Sequence, residues 1–196
     1  MRRDLISRNT GTLTLIACAA LTGCAAPDSS SEPARDIQVA VTFPSSLAPE
    51  ALDGRLLVAL STNPEGDPLG HVSDGIGAQP VFGIDVEGWA PGTPSILADS
   101  VFGFPVRRLG DLPPGQYRAQ AILNRYETFT RSDGHTVKLP PDRGEGQQWR
   151  SKPGNLTSVP MDVTISDTGP TQIELELTEQ IAELPDPETL QTEWVK

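Results

Sequence analysis

Cysteine and histidine are scarce in this sequence, with two residues of each type among 196. The histidines, His71 and His135, stand far apart and lack the close Cys or His neighbours that zinc sites use. The Gly-x-Ser-x-Gly elbow of serine hydrolases and the Walker phosphate loop are also missing. The sequence therefore predicts no metal site, no cofactor and no catalytic residue.

Basic residues are also few, because 15 Lys and Arg stand against 26 Asp and Glu, for a formal net charge of −11. A chain this acidic repels a phosphate backbone, so nucleic acid is excluded as a partner. Long apolar runs are missing as well. The most apolar stretch, Leu13–Leu21, is too short to span a bilayer as a helix.

That apolar stretch follows a basic head, Met1–Arg8, and ends in Leu21-Thr22-Gly23-Cys24. These three features in this order are typical of an export signal. The last four residues resemble the lipobox of bacterial lipoproteins. The resemblance implies that residues 1–23 are removed and that Cys24 carries fatty acyl chains such as palmitate. The alternatives are an ordinary secretory signal cut near Ala19, or an uncleaved anchor.

A lipid on Cys24 implies that the membrane is a partner of the chain and that the protein faces the periplasm or the exterior. The anchoring membrane is either the cell membrane or an outer membrane. By resemblance to lipoprotein sorting in Gram-negative bacteria, in which Asp after the lipidated Cys marks inner-membrane retention, Ala25 at that position favours the outer membrane where one exists. Cys18 leaves with the signal, so no thiol remains for a disulfide.

The mature chain divides by composition into three parts. Residues 24–35 are rich in Ser, Pro and Ala and predict a flexible tether. Residues 36–180 predict one β-sandwich domain. Residues 181–196 form an acidic tail in which Pro185 and Pro187 oppose helix and central strand. We expect its larger part, Glu183–Lys196, to stay mobile, because its few apolar side chains cannot offset the entropy of ordering it. The alternative is that Trp194 folds back onto the sandwich or docks on a partner.

Alternating apolar residues predict strands in the central part, most clearly around Ile37–Phe43 and Ile173–Thr178. The continuous apolar run Gly54–Ser61 predicts a more buried strand. Seven or eight short strands separated by turn residues indicate an all-β fold, a single antiparallel sandwich with long loops. The further predicted strands are Val81–Val86, Pro94–Ala98, Phe104–Arg108, Gln116–Asn124 and Val159–Ile165.

The turn Leu112–Tyr117 and the strand after it resemble the Leu-Pro-x-Gly-x-Tyr element of transthyretin-like sandwiches. In those domains Pro and Gly form the turn, and Tyr enters the core. The expected fold is therefore immunoglobulin-like or transthyretin-like.

A long loop from about Thr130 to Thr157 holds the densest set of polar side chains, and loops of this length tend to be functional. One reading is a ligand or partner site, in which three acidic side chains offer oxygens to Ca²⁺ without any EF-hand spacing. The other reading is an ordered loop packed by Trp149, Leu139 and Leu156. The candidate site residues are Asp133, His135, Asp142, Glu145, Trp149 and Asn155.

The chain from about Val39 to Lys196 resembles the N-terminal module of bacterial esterases, in which an α/β-hydrolase domain follows. The resemblance lies in Phe82–Gly88, Leu112–Asn124, Asp133–Pro140, Gly144–Trp149 and Pro153–Leu156. The closing residues Thr192–Lys196 resemble the start of the hydrolase domain. The nucleophile, acid and histidine of that family would lie beyond them, so none transfers to a residue here.

Three functional readings follow. In the first, the chain is a membrane-anchored, non-catalytic accessory or binding module whose partner is a separately encoded hydrolase or another envelope protein. In the second, it is a fragment of a lipoprotein esterase that lacks its catalytic domain. In the third, it is a small hydrolase that uses His135 with a nearby Asp and Ser. A hydrolase encoded just downstream in another frame would favour the second.

Overall fold

Strands dominate the computed structural model, which describes residues 35–142 and 148–183. The prediction of an all-β sandwich is confirmed. Within the described residues the helical elements are two single 3-10 turns, Pro68–His71 and Leu109–Asp111. The strands are β1 Asp36–Thr42, β2 Leu52–Ser61, β3 Val81–Trp89, β4 Ser95–Leu97, β5 Gly103–Phe104, β6 Gly115–Arg125, β7 Glu127–Thr130, β8 Thr136–Leu139, β9 Leu156–Ser158, β10 Met161–Ile165 and β11 Pro170–Gln180.

Two strands with strictly alternating sequences form the centre of the first sheet. Ile37, Val39 and Val41 of β1 point into the core, and so do Ile173 and Leu175 of β11. The residues between them are more exposed, as the two-residue period of a strand requires. β4 lies on the other side of β1.

The pairing of β1 with β11 is parallel, from Asp36 beside Pro170 to Thr42 beside Glu176. The prediction of a purely antiparallel sandwich is therefore wrong at this pair. The physical reason is that only a tight hairpin forces neighbouring strands to run antiparallel. Since β1 and β11 lie at opposite ends of the domain sequence, no such turn connects them.

β11 belongs to both sheets. Its first part pairs with β1, and its last residues, Leu177–Gln180, pair antiparallel with β9 after a register shift. From β9 the second sheet continues through β6, β2 and β3 to the short edge strand β5, and β10 also pairs with β6. The two sheets are thus joined through one continuous strand.

The main core fills the space between the sheets. The rings of Phe43 and Trp89 pack edge to face in it, with their centroids 4.8 Å apart. A second apolar cluster lies on the outer face of the second sheet, where Ala59 and Ile122 pack with Leu69. This second cluster explains why the second half of β2, Leu56–Leu60, is continuously apolar, since both faces of the strand are covered near its end.

The sandwich has two distinct ends. At the tether end β1, β3, β6 and β11 begin, and the Arg35 guanidinium donates a hydrogen bond to the carbonyl of Leu112. At the exit end β11 stops at Gln180, and β6 passes into β7. Ile181 is held there, because it exchanges backbone hydrogen bonds of 2.9 Å with Asn155 and Gly154. The predicted tail thus has its first residue within the fold, and residues 184–196 lie outside the described part.

Three local predictions are wrong. The strand predicted at Phe104–Arg108 is instead the two-residue strand Gly103–Phe104, which stops before Pro105 because proline has no amide hydrogen to continue a ladder. The strand predicted at Val159–Ile165 begins at Met161 because Pro160 interrupts it. The loop predicted from Thr130 to Thr157 contains β8, which pairs with β7 as a hairpin, and it also contains the start of β9.

Because β11 joins both sheets, its inward side chains should dominate stability. Leu175→Ala should lower the free energy of unfolding by about 2–5 kcal/mol, since it opens a cavity around a side chain only 4% exposed. Glu176→Ala on the outer face of the same strand should change it by less than about 0.5 kcal/mol. Urea denaturation of both variants measures the difference, and equal costs would contradict the arrangement.

Candidate functional site

Asp133 and His135, two of the predicted site residues, lie at the tip of the β7–β8 hairpin. One carboxylate oxygen of Asp133 accepts the backbone N–H of His135 at 3.1 Å and lies 3.2 Å from its Nδ1. The other oxygen lies 3.4 Å from the Arg131 guanidinium. The His135 side chain is 79% exposed. These contacts close the exposed turn at the tip of the hairpin.

Asn155 is buried, and its hydrogen bonds hold several segments of the chain together. Its side-chain amide donates to Oδ1 of Asn124 at 3.1 Å and to the carbonyl of Trp149 at 2.8 Å. Its own Oδ1 accepts the backbone N–H of Arg125 at 3.0 Å. With its backbone bonded to Ile181 as well, Asn155 joins the end of β6 to the segment before β9 and to the residue that follows β11.

Trp149 is half-buried against the second apolar cluster. The guanidinium of Arg150 lies 5.8 Å from the centre of its ring and donates to the carbonyls of Leu69 and Val72 at 3.3 and 3.0 Å. Trp149 and Arg150 therefore fasten this segment over the outer face of the second sheet. This part of the packed-loop reading holds for Trp149 and for the buried Leu156, whereas Leu139 is 52% exposed.

The six predicted site residues do not form one constellation. Asp133 and His135 occupy the hairpin tip, Asp142 is exposed, and Trp149 and Asn155 pack beneath other segments. Glu145 lies outside the described residues. Among residues 35–142 and 148–183, no three Asp, Glu, His or Cys side chains converge as metal ligands would.

The structure instead shows a polar network where the β7–β8 hairpin meets β2 and β3. The Lys138 ammonium lies 2.9 Å from Asp53 and 3.8 Å from Glu87. The other oxygen of Asp53 accepts the backbone N–H of Gly88 at 2.7 Å. The bond from Gly88 and the one from Lys138 lower the pKa of Asp53, and the bond to Asp53 raises the pKa of Lys138.

Tyr126 extends this network along the outer face. Its backbone N–H donates to the carbonyl of Asp53 at 2.9 Å, and its hydroxyl donates to Asp85 at 3.0 Å. Asp85 also accepts from Arg55 at 3.0 Å. Desolvation raises the pKa of Tyr126, and the neighbouring Asp85 raises it further. Sequence reasoning missed this group, because its members come from strands far apart in the chain and share no motif.

Two clefts adjoin at the exit end and share Tyr126. The exit cleft has a volume of about 400 Å³, and the last described residues of the chain form one of its walls. The hairpin cleft has a volume of about 500 Å³ and lies between the β7–β8 hairpin and β3. Charges of both signs, from Arg125, Glu127 and Lys138 among others, line the two clefts. Such walls suit the polar side chains and backbone of a protein segment.

A serine and a histidine meet elsewhere, at the tether end. The Ser61 hydroxyl lies 2.8 Å from Nδ1 of His71 and accepts the backbone N–H of Asn63 at 3.1 Å. Ser61 is only 1% exposed, and its hydroxyl is engaged by both of these groups. This pair closes the loop between β2 and β3.

Known proteins show little similarity to this chain. No family model matches the chain, and no curated protein matches it. Among solved structures, the chain is similar to the crystal structure of BcpA, the major pilin subunit of Bacillus cereus, with 16% identity and a TM-score of 0.27. The match covers 74% of this chain and 31% of the pilin, so the chain spans about a third of that protein. A likeness at this level identifies neither family nor function.

In the described part of the chain, no helix has the length and apolar character needed to cross a membrane.

The Asp53 network predicts a specific pH dependence of stability. Since folding lowers the pKa of Asp53, its contribution is fully present above the ordinary carboxylate pKa of about 3.9 and is lost as the pH falls through the lower folded value. Asp53→Asn should therefore cost more stability at neutral pH than in strong acid. Urea midpoints measured at both pH values test this.

The matched control is Asp133→Asn, at the exposed hairpin tip, which should change stability little at either pH. A cost of Asp53→Asn that stays constant or grows as the pH falls would show that the carboxylate charge does not hold the hairpin to β2 and β3.

Proposed function

We propose that this chain is a membrane-anchored, non-catalytic lipoprotein whose β-sandwich presents its exit end to a partner protein. In this proposal Cys24 carries the lipid, and residues 24–35 connect it to β1. The sandwich supplies a surface for binding, and a separately encoded hydrolase or another envelope protein supplies any chemistry.

The observation that carries the proposal is the lipobox Leu21-Thr22-Gly23-Cys24, placed 12 residues before the first strand. Such a Cys carries at least two acyl chains. Each buried CH₂ contributes about 0.8 kcal/mol to membrane binding, and two chains suffice for stable anchoring. The short tether keeps the sandwich close to the membrane.

In this proposal the two ends of the sandwich have different roles, one in anchoring and one in partner binding. β1 begins at the tether end, whereas both clefts lie at the exit end. In the esterases that this chain resembles, the catalytic domain follows the sandwich, so it would adjoin the end at which β11 stops. A hydrolase partner would therefore be expected at the exit cleft. The reading as an esterase fragment predicts the same surface but makes the missing domain its natural occupant.

Metabolic labelling tests the anchor. Cells fed a fatty acid with an alkyne group should label the wild-type chain and should not label Cys24→Ser. Cys18→Ser is the matched control, because it removes the other cysteine by the same substitution within the signal. It should be labelled like the wild type and should stay in the membrane fraction.

Equal labelling of wild type and Cys24→Ser would contradict lipidation at this residue. Loss of labelling in Cys18→Ser, with Cys24→Ser still labelled, would show that Cys18 and not Cys24 carries the lipid. Absence of label from all three chains, with the protein released from the membrane, would favour an ordinary secretory signal.

The non-catalytic part of the proposal predicts no turnover of p-nitrophenyl esters above buffer. His135 contacts Asp133 at an exposed turn, and Ser61, the serine that contacts His71, is only 1% exposed. His135→Ala and Ser61→Ala should match the wild type. Turnover by the wild type that either substitution abolishes would overturn this part of the proposal and favour the small-hydrolase reading.

A further inference from the structure

A short hairpin at the edge of the second sheet exposes two phenylalanines. Residues 102–108, here named the Phe hairpin, are closed by a bridge between Phe102 and Arg108 and by a 3.0 Å bond from the Gly103 N–H to the carbonyl of Arg107. Gly103 faces inward, since a Cβ on it would meet the ring of the core residue Phe82 at 2.3 Å. Phe102 and Phe104 therefore face outward, and they are 66% and 51% exposed.

Two arginines stand on the same hairpin. Arg107 and Arg108 are both exposed, and in the described part of the chain no carboxylate forms an ion pair with either of them. Asp99 and Asp111 flank the hairpin in sequence but make no such contact. Two adjacent cations beside two exposed aromatic rings therefore give this hairpin a local positive charge in a chain whose net charge is −11.

The Phe hairpin lies at the tether end. Phe104 pairs with Val81, the first residue of β3. The 3-10 turn Leu109–Asp111 follows Arg108 directly, and the carbonyl of Leu112 just beyond it accepts from Arg35, where the described chain starts. The hairpin is thus built next to the point where the tether joins the domain.

We propose that the Phe hairpin is a second membrane contact, in which Phe102 and Phe104 enter the headgroup region of an anionic bilayer and Arg107 and Arg108 bind lipid phosphates. This inference rests on the proposed anchoring of the chain through Cys24. Apolar side chains such as Phe enter the boundary between headgroups and acyl chains, and cations near an anionic surface add attraction. The lipid anchor supplies the proximity, and the hairpin fixes which side of the sandwich faces the membrane.

A second copy of the chain fits this surface less well. Strand addition needs a row of unpaired backbone groups, and β5 has only two residues before Pro105 interrupts it. A symmetric dimer through this edge would also bring Arg107 and Arg108 towards their own copies, and like charges repel. A bilayer of anionic lipid meets both the aromatic and the cationic side chains.

The test places one environment-sensitive fluorophore on the full chain. Cys18→Ser and Cys24→Ser remove the native thiols, Phe104→Cys supplies the labelling site, and a hexahistidine tag inserted after Ser30 holds the tether on vesicles with nickel-chelating lipid. Because the tag replaces the lipid, the result does not depend on whether cells lipidate Cys24. The control is Phe129→Cys, an exposed phenylalanine on β7 at the exit end.

On vesicles containing anionic phosphatidylglycerol, the probe at position 104 should shift its emission to the blue and be quenched by spin-labelled lipid. The probe at position 129 should do neither. Arg107→Glu with Arg108→Glu should reduce the quenching at 104, whereas Arg131→Glu should not.

Equal quenching at 104 and 129, or none at 104, would overturn the proposal. A blue shift at 104 that grows with protein concentration and needs no vesicles would show that a second copy covers the hairpin, and this would overturn it too. Failure of fatty-acid labelling at Cys24 together with quenching at 104 would reject the lipid anchor and leave the membrane contact standing.

Discussion

The parallel pairing of β1 with β11 is the constraint on which the rest of the structure depends. Because Asp36 lies beside Pro170 and both strands run the same way, the domain begins at the end where its last strand begins. β11 then extends for 11 residues, which at about 3.3 Å per residue carries the chain to the opposite end of the sandwich. Antiparallel pairing of the same two strands would have placed the start of β1 and the end of β11 at the same end of the sandwich.

This separation places different surface features at the two ends of the sandwich. The tether end carries the Phe hairpin, and the exit end carries two clefts that share Tyr126. The polar residues of the long segment after β6 serve mainly to build the exit end. Asn155 connects three parts of the chain, and Lys138 holds the β7–β8 hairpin to Asp53. These contacts fix the β7–β8 hairpin and the residues just after β11, and those segments form walls of the two clefts.

Much of the fold could be predicted from the sequence, because burial on one face of a strand leaves a two-residue pattern. Ile37, Val39 and Val41 show it in β1, and Ile173 and Leu175 show it in β11. The direction of pairing could not be read, since the same alternation serves parallel and antiparallel neighbours. The β7–β8 hairpin was missed because its strands are short and largely exposed and bury no regular apolar face.

The candidate site was predicted less well, for a physical reason. Asn155 was a ligand candidate because it is polar within a long loop, but a buried amide that satisfies backbone groups has the same sequence signature. The contacts that define the exit end, Lys138 with Asp53 and Tyr126 with Asp85, join residues distant in sequence. The resemblance of Leu21–Cys24 to a lipobox, in contrast, lies in four consecutive residues, so it can be proposed from the sequence without any tertiary structure.

The central claim is that the sandwich stands on the membrane with its tether end inward and its exit end outward. Energy transfer to an acceptor lipid, measured on membranes that carry the full chain, tests this most directly. Donors at Asp167→Cys, in the turn before β11, and at Ala182→Cys, just after it, lie at opposite ends of the strand and are both exposed. Transfer should be strong from position 167 and weak from position 182, in keeping with a separation of about 33 Å along β11. Equal transfer from both positions, or stronger transfer from 182, would contradict the account.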